Sequence, residues 1–138
     1  MWVSIKNQLQ KNWLYLISVL ATVIIYGVFL QYGFISWDDP EMVFRNKAVQ
    51  NFSITDFFKN QYVGNYIPFT MLLHSLIWQI AGDHAGVHHL FSLLLHLLNG
   101  WLVYQFGRKL FQQDGIAAIG MLIFLTHPIQ MESVGWIS

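Results

Sequence analysis

The sequence predicts an all-α membrane protein with about three transmembrane helices and short surface-lying helices in its first outer loop. Apolar residues make up 55% of the 138 residues, and the mean hydropathy is +0.45. Charged residues make up only 10%, whereas a soluble globular domain carries about 25%. The apolar residues are gathered into long uninterrupted runs, which is typical of helices that cross a bilayer.

Charge and cysteine content exclude several classes of function. Seven Lys and Arg balance seven Asp and Glu, so the net charge is zero. Because no basic block is present, we expect no nucleic-acid partner. The absence of cysteine excludes disulfides, thiolate metal sites and thiol nucleophiles.

The first transmembrane helix is predicted over residues 13–31. Eighteen residues from Trp13 to Leu30 carry no charge. At about 1.5 Å per residue they extend roughly 27 Å, which is enough for the bilayer core. Trp13 and Tyr32 lie near the ends, as interfacial aromatic residues do. A cleaved signal peptide is the competing interpretation, but the run is longer than a usual signal core and no small-x-small cleavage site follows it.

Short helices are predicted in the loop that follows. Residues 51–58 have the pattern of the start of an amphipathic helix, with Ser53 or Thr55 as its N-cap. Such a helix would lie on the membrane surface with its Phe side chains facing the lipid. Pro68 would stand in the first turn of a further apolar helix over residues 69–80, which is too short to span the bilayer.

Two more transmembrane helices are predicted over residues 86–108 and 113–127. The turn at Asp114 separates them, and Pro128 ends the second. The second is apolar but short, and it reaches spanning length only over its full predicted extent. We interpret Gly100 as a notch for close packing of another helix, since small residues permit close approach in lipid.

The distribution of basic residues predicts the orientation of these helices. Lysines precede the first helix, and Arg108 and Lys109 close the second. If positive charge marks the cytoplasmic side, the N-terminus is cytoplasmic. The loop over residues 32–85 and the segment 128–138 then lie on the outer side. Both candidate acidic regions described next therefore share one face of the membrane.

Asp38 and Asp39 are the first candidate functional residues. Adjacent carboxylates at the membrane surface are suited to holding a base, binding a cation or orienting an acceptor hydroxyl. The structural alternative is a helix start, with one Asp as N-cap and Pro40 at the first helical position. Both interpretations can hold together. The predicted topology places Glu132 on the same face.

Four histidines lie on or near the second long helix: His84, His88, His89 and His96. Imidazoles in such number are suited to binding zinc, copper or haem. The simpler interpretation places the first three in the headgroup region and lets His96 bond to a neighbouring helix. No Glu-x-x-His pattern accompanies them, which favours the simpler interpretation.

Four motifs then follow one another along nearly the whole chain: Trp37-Asp38-Asp39, Asn65-Tyr66-x-Pro68, Gly86-Val87-His88-His89 and His127-Pro128-Ile129-x-x-Glu132. Their order resembles the N-terminal part of GT-C fold membrane glycosyltransferases, namely the transmembrane-and-TPR-containing O-mannosyltransferases and their bacterial TPR-containing relatives. The usual pattern has Arg before the proline of the second motif and Leu after it. Here Ile67 and Phe69 stand in those places, so no role carried by that Arg can be transferred.

The resemblance implies a truncated GT-C transmembrane domain over residues 1–138. Enzymes of this family move a sugar from a polyprenyl-phosphate donor to a hydroxyl of a protein or glycan acceptor on the non-cytoplasmic face, here of a bacterial inner membrane. The implied catalytic residues are Asp38, Asp39 and Glu132. The implied substrate-binding residues are Trp37, Asn65, Tyr66, His88, His89 and His127. Some family members use a divalent cation and others do not, so a metal requirement stays open.

The resemblance also implies that the chain holds only part of the family's transmembrane domain. The family has on the order of ten or more spans, whereas 138 residues hold about three. We therefore expect a fragment that is inactive alone. The alternative is a small non-catalytic membrane scaffold, or a protein that binds lipid or a partner. A histidine–metal membrane protein is a third and less favoured class.

Overall fold

The computed structural model describes residues 2–137, with side chains from Trp13 onward. Within this range the fold is helical, and the elements are α1 (Trp2–Tyr26), a 3-10 helix (Gly27–Gln31), a π-helical turn (Pro40–Phe44), α2 (Lys47–Gln50), α3 (Ile54–Lys59), α4 (Pro68–Ala81), α5 (Ala85–Phe111), α6 (Asp114–Thr126) and α7 (Gln130–Gly135). The residues divide into two compact units. The first unit comprises residues up to Val28 with Ser92–Gly135, and the second comprises Phe29–Phe91 with the residues from Trp136 onward.

Small residues allow close helix packing in the first unit. Its core consists of Tyr104, Ala117, Ala118, Met121 and Leu125. A Cβ on Gly100 would lie 2.5 Å from the Leu125 side chain, and a Cβ on Gly107 would lie 3.2 Å from Ala117. The predicted packing notch at Gly100 is therefore confirmed, and it accepts α6.

The end of α6 is capped by side chains from two other helices. A helix leaves its last carbonyl groups without intrahelical partners, and Pro128 offers no N–H. The Tyr26 hydroxyl donates a hydrogen bond to the His127 carbonyl oxygen at 3.1 Å. His96 Nε2 lies 3.0 Å from the Leu125 carbonyl oxygen. Because a carbonyl only accepts, Nε2 carries the proton, and the predicted bond from His96 to a neighbouring helix is confirmed.

The second unit has a core of its own and ties α2 to α4. The core consists of Met42, Val43, Val49, Phe57, Met71 and Ile137. The buried Ser75 hydroxyl donates to the Val49 carbonyl oxygen at 2.6 Å. Asn46 caps α2, since its Oδ1 accepts from the Ala48 and Val49 amides at 3.0 and 3.3 Å.

The residues that flank the loop over residues 32–85 lie side by side. A Cβ on Gly86 would lie 2.6 Å from the Leu30 carbonyl oxygen. Only glycine permits that approach, because a backbone oxygen cannot move aside as a flexible side chain would. The end of the first apolar helix thus lies directly against the start of α5.

Among the residues that the structure describes, two helices are long and apolar enough to cross a membrane. They are Trp13–Gln31, with a mean hydropathy of 2.2, and Ala85–Phe111, with 1.2. Only 17% and 22% of their most apolar windows are buried, so most of their apolar side chains are not covered by the rest of the described residues. The helix α6 has 13 residues, which extend about 20 Å, short of the roughly 30 Å bilayer core. The third predicted span is not confirmed.

The short helices of the second unit match the sequence prediction in part. The helix α4 begins at Pro68 and ends at Ala81, and Gly82, whose φ is +56°, follows as its C-cap. In α3, Ser53 occupies the N-cap position but its side chain makes no cap hydrogen bond. Phe57 is fully buried while Phe58 is 45% exposed. The prediction that both face the lipid is wrong for Phe57, because consecutive helical residues point about 100° apart.

Candidate active site

The two carboxylates of the acidic loop have different environments. Asp39 is 1% exposed, and its Oδ2 accepts a hydrogen bond from the Ile35 amide at 2.7 Å. Asp38 is partly exposed. The cap interpretation holds only for the backbone: Asp39 precedes the π-helical turn that Pro40 opens, but its side chain makes no cap bond. Asp39 therefore stabilises the loop from inside, and Asp38 is the carboxylate that a ligand can reach.

Three histidines are buried around Asp39 in the second unit. His74 comes from α4 and is 5% exposed, while His88 and His89 come from the first turns of α5 and are 1% and 2% exposed. The Asp39 carboxylate acts electrostatically on all three rings. The predicted headgroup location is wrong for His88 and His89, because the loop of the second unit covers the start of α5. For His84, which is exposed, the headgroup location stays a prediction.

His88 is held by a hydrogen bond and by aromatic rings. Its Nε2 lies 3.0 Å from the Gly82 carbonyl oxygen, so Nε2 carries the proton and Nδ1 is the basic nitrogen. The ring meets Phe34 edge-on at 5.3 Å and Trp78 at 6.3 Å. His89 stacks against Phe29 at 6.4 Å. These contacts fix both imidazoles in place beneath the acidic loop.

His74 is the residue of this cluster that the sequence interpretation missed. Neither ring nitrogen has a hydrogen-bond partner among the described residues. Burial and the neighbouring His88 lower the pKa of His74 to about 4, against the opposing effect of the Asp39 carboxylate. The ring is therefore neutral at pH 7. The available signal was a histidine in the middle of a short apolar helix, directly before the buried Ser75.

Three predicted substrate-binding residues lie at the surface of the second unit. Trp37 is 76% exposed and Tyr66 is 58% exposed. The Tyr66 hydroxyl donates to the Phe58 carbonyl oxygen at 3.3 Å. Asn65 closes a tight turn through two 2.8 Å backbone hydrogen bonds with Tyr62. All three side chains are accessible to a ligand and lie outside the buried histidine cluster.

The remaining predicted residues belong to the first unit. His127 and Glu132 are exposed. His127 Nδ1 accepts a hydrogen bond from the Ile129 amide at 3.2 Å, which shapes the turn after α6. Glu132 lies in the first turn of α7, where a negative charge interacts favourably with the helix dipole. Their predicted convergence with Asp38 and Asp39 stays a prediction.

No metal centre is evident in the described part of the chain. Within residues 2–137, no three or more His, Asp or Glu side chains are arranged to hold a metal ion. The three buried imidazoles and Asp39 form an electrostatic cluster instead. The metal requirement, which the resemblance left open, stays open.

Comparisons with protein-family models, with curated proteins and with solved structures find no match for this chain. The class that the fold defines is an all-helical arrangement of the described residues, in which two helices are long and apolar enough to cross a membrane. Any more specific function depends on the motifs and on the environments of the residues in them.

Proposed function

We propose that this chain forms part of a membrane glycosyltransferase of the GT-C type, with about three transmembrane helices in this region. It transfers a sugar from a polyprenyl-phosphate donor to a hydroxyl of a protein or glycan acceptor outside the cytoplasm of a bacterial cell. The observation that carries the proposal is that two neighbouring carboxylates differ in burial, which suits them to different roles. Asp39 is buried and hydrogen-bonded to the Ile35 amide, while Asp38 is accessible.

In this proposal Asp38 is the general base. The acceptor hydroxyl oxygen attacks the anomeric carbon of the sugar, the bond from that carbon to the phosphate oxygen breaks, and polyprenyl phosphate leaves. The hydroxyl proton passes to the Asp38 carboxylate, which must come within about 2.6–3.2 Å of the hydroxyl oxygen. Asp39 is unsuited to this step, because a buried carboxylate cannot approach an acceptor.

The surface aromatic residues suit the sugar and the acceptor. Trp37 is directly next to Asp38 in the chain, and its large exposed ring is suited to stacking on a sugar face. Asn65 and Tyr66 supply amide and hydroxyl groups at the same unit's surface. His88 and His89 are buried, so in this proposal they support the acidic loop from within and do not contact substrate.

Glu132 and His127 stay in the proposal on the strength of the resemblance. Both are exposed in the first unit and are free to meet a ligand there. We assign Glu132 to an acidic role in transfer and His127 to substrate binding. A Glu132→Gln variant tests the first assignment independently of the acidic loop.

The competing function is a non-catalytic membrane scaffold, which needs the helices but not Asp38. The test is sugar transfer by membranes that contain the full-length protein carrying these residues, with polyprenyl-phosphate-linked radiolabelled mannose as donor. Asp38→Asn is expected to lower the rate by about 10²–10⁴-fold, the usual contribution of a general base. Ser36→Ala, an exposed change in the same loop, is the matched control. Absence of transfer by the unmodified protein, or an Asp38→Asn rate equal to that of the control, would favour the scaffold.

A further inference from the structure

The C-terminal end of α5 has an open cavity whose lining includes three hydrogen-bond donors. The cavity has a volume of about 270 Å³, and its lining includes Gln105, Arg108 and Lys109. An amide, a guanidinium and an ammonium group all offer N–H donors, and two of them carry positive charge. Such a set is complementary to an anion with several oxygen acceptors, above all a phosphate group.

Arg108 is held in place before any ligand binds. Its Nε forms an ion pair with an Asp114 carboxylate oxygen, and its guanidinium lies over the Tyr104 ring at 5.7 Å. The Arg108 and Asp114 side chains are 42% and 43% exposed, so a ligand can reach this ion pair. Asp114 offsets part of the positive charge of Arg108 and Lys109.

An apolar strip continues from the cavity along the same face of α5. Leu98, Trp101 and Leu102 precede Gln105 by seven, four and three residues, the spacings that share one face of a helix. Their side chains are 50%, 41% and 49% exposed. Since α5 is one of the two helices able to cross a membrane, this strip is suited to an acyl chain. A free phosphate ion would leave it unused.

We propose that the cavity of Gln105, Arg108 and Lys109 binds the phosphodiester headgroup of an anionic phospholipid whose acyl chains lie on Leu98, Trp101 and Leu102. Arg108 and Lys109 contact the phosphate oxygens, and Gln105 donates to the headgroup. The site lies wholly within the first unit and is independent of the transferase proposal. The bound lipid is a structural ligand, and no covalent step is involved.

The experiment measures lipid binding to the chain reconstituted in phosphatidylcholine nanodiscs. The content of phosphatidylglycerol in the nanodiscs is increased stepwise, and native mass spectrometry reports the fraction of the chain that retains a bound phosphatidylglycerol molecule. Lys109→Gln removes one charge without touching the Arg108–Asp114 pair. Loss of one basic residue near a lipid surface weakens binding of an anionic lipid about fivefold. Lys59→Gln, an exposed lysine of the second unit, is the charge-matched control and should leave the affinity unchanged. Thermal unfolding of each variant confirms that it is folded.

Three results would overturn the proposal. If Lys109→Gln and the unmodified chain had equal affinity for phosphatidylglycerol, the lipid would not bind at this site. An equal loss in Lys59→Gln would show that only overall charge matters. Displacement of the lipid by millimolar inorganic phosphate would identify free phosphate as the ligand. As a second variant, Leu102→Gln should weaken lipid retention without creating any response to phosphate.

Discussion

Acidification should destabilise the second unit through His74. This histidine is 5% exposed, and burial holds its pKa near 4 in the folded chain, whereas an unfolded histidine has a pKa of about 6.5. The folded pKa is the lower one, so the unfolded state binds more protons between these values and stability falls as pH decreases. The contribution of neutral His74 to the free energy of unfolding is fully present above about pH 6.5 and is lost progressively as pH falls towards 4.

The magnitude follows from the difference between the two pKa values. About 2.5 pKa units, at 1.36 kcal/mol per unit, give a maximum loss of roughly 3 kcal/mol at low pH. Between pH 7.5 and pH 5 the loss is about 2 kcal/mol. For a chain of this length, 2 kcal/mol lowers the melting temperature by several degrees.

The assay is thermal unfolding in nanodiscs from pH 7.5 to pH 4, for the unmodified chain and for His74→Gln. The glutamine variant keeps a polar side chain and removes the titration, so the difference between the two curves isolates His74 from the other histidines. We expect the free energy of unfolding of the unmodified chain, relative to that of His74→Gln, to fall by about 2 kcal/mol between pH 7.5 and pH 5. Two curves that fall in parallel would refute the reasoning.

Two further substitutions test the packing. Gly100→Ala should destabilise the first unit by about 1–3 kcal/mol, because the new Cβ would lie 2.5 Å from the buried Leu125 side chain; Gly120→Ala, which meets nothing within 4 Å, is the matched control, and equal melting temperatures for the two variants would contradict the prediction. Ser75→Ala should destabilise the second unit by about 1–3 kcal/mol, because the Val49 carbonyl loses its hydroxyl donor in a buried site; an unchanged unfolding free energy in denaturant would show that the bond contributes nothing.

The helical fold was largely predictable from the chain itself. Long uncharged runs, the proline at the start of α4 and the glycine at its end each have a direct physical consequence for a helix. The apolar composition of α6 favoured a third span, whereas its length of 13 residues did not. The sequence could not show which side chains point into the core and which point outward, as at Phe57 and Phe58. That direction depends on which neighbours pack against each helix.

The candidate site was predictable only in part, for the same reason. The acidic pair was found because two carboxylates beside an apolar run are costly and conspicuous. Which of them is buried depends on a hydrogen bond from Ile35, which no local pattern signals. His74 was missed because a single histidine in an apolar helix carries little information until tertiary structure places it beside Asp39 and His88.

The most direct test of the assigned roles compares Asp38→Asn with Asp39→Asn in the full-length protein that carries these residues. Two measurements are made on the same preparations: thermal unfolding, and sugar-transfer rate per folded molecule. Asp38→Asn should unfold like the unmodified protein but transfer sugar at least a hundredfold more slowly, since it removes an accessible base. Asp39→Asn keeps an oxygen that can accept from the Ile35 amide but removes its charge. It should therefore lose about 1 kcal/mol of stability, the difference between a charged and a neutral hydrogen bond, with a smaller loss of rate. If the folded Asp38→Asn variant keeps its rate, or if Asp39→Asn is the inactive and stable one, the assignment is wrong.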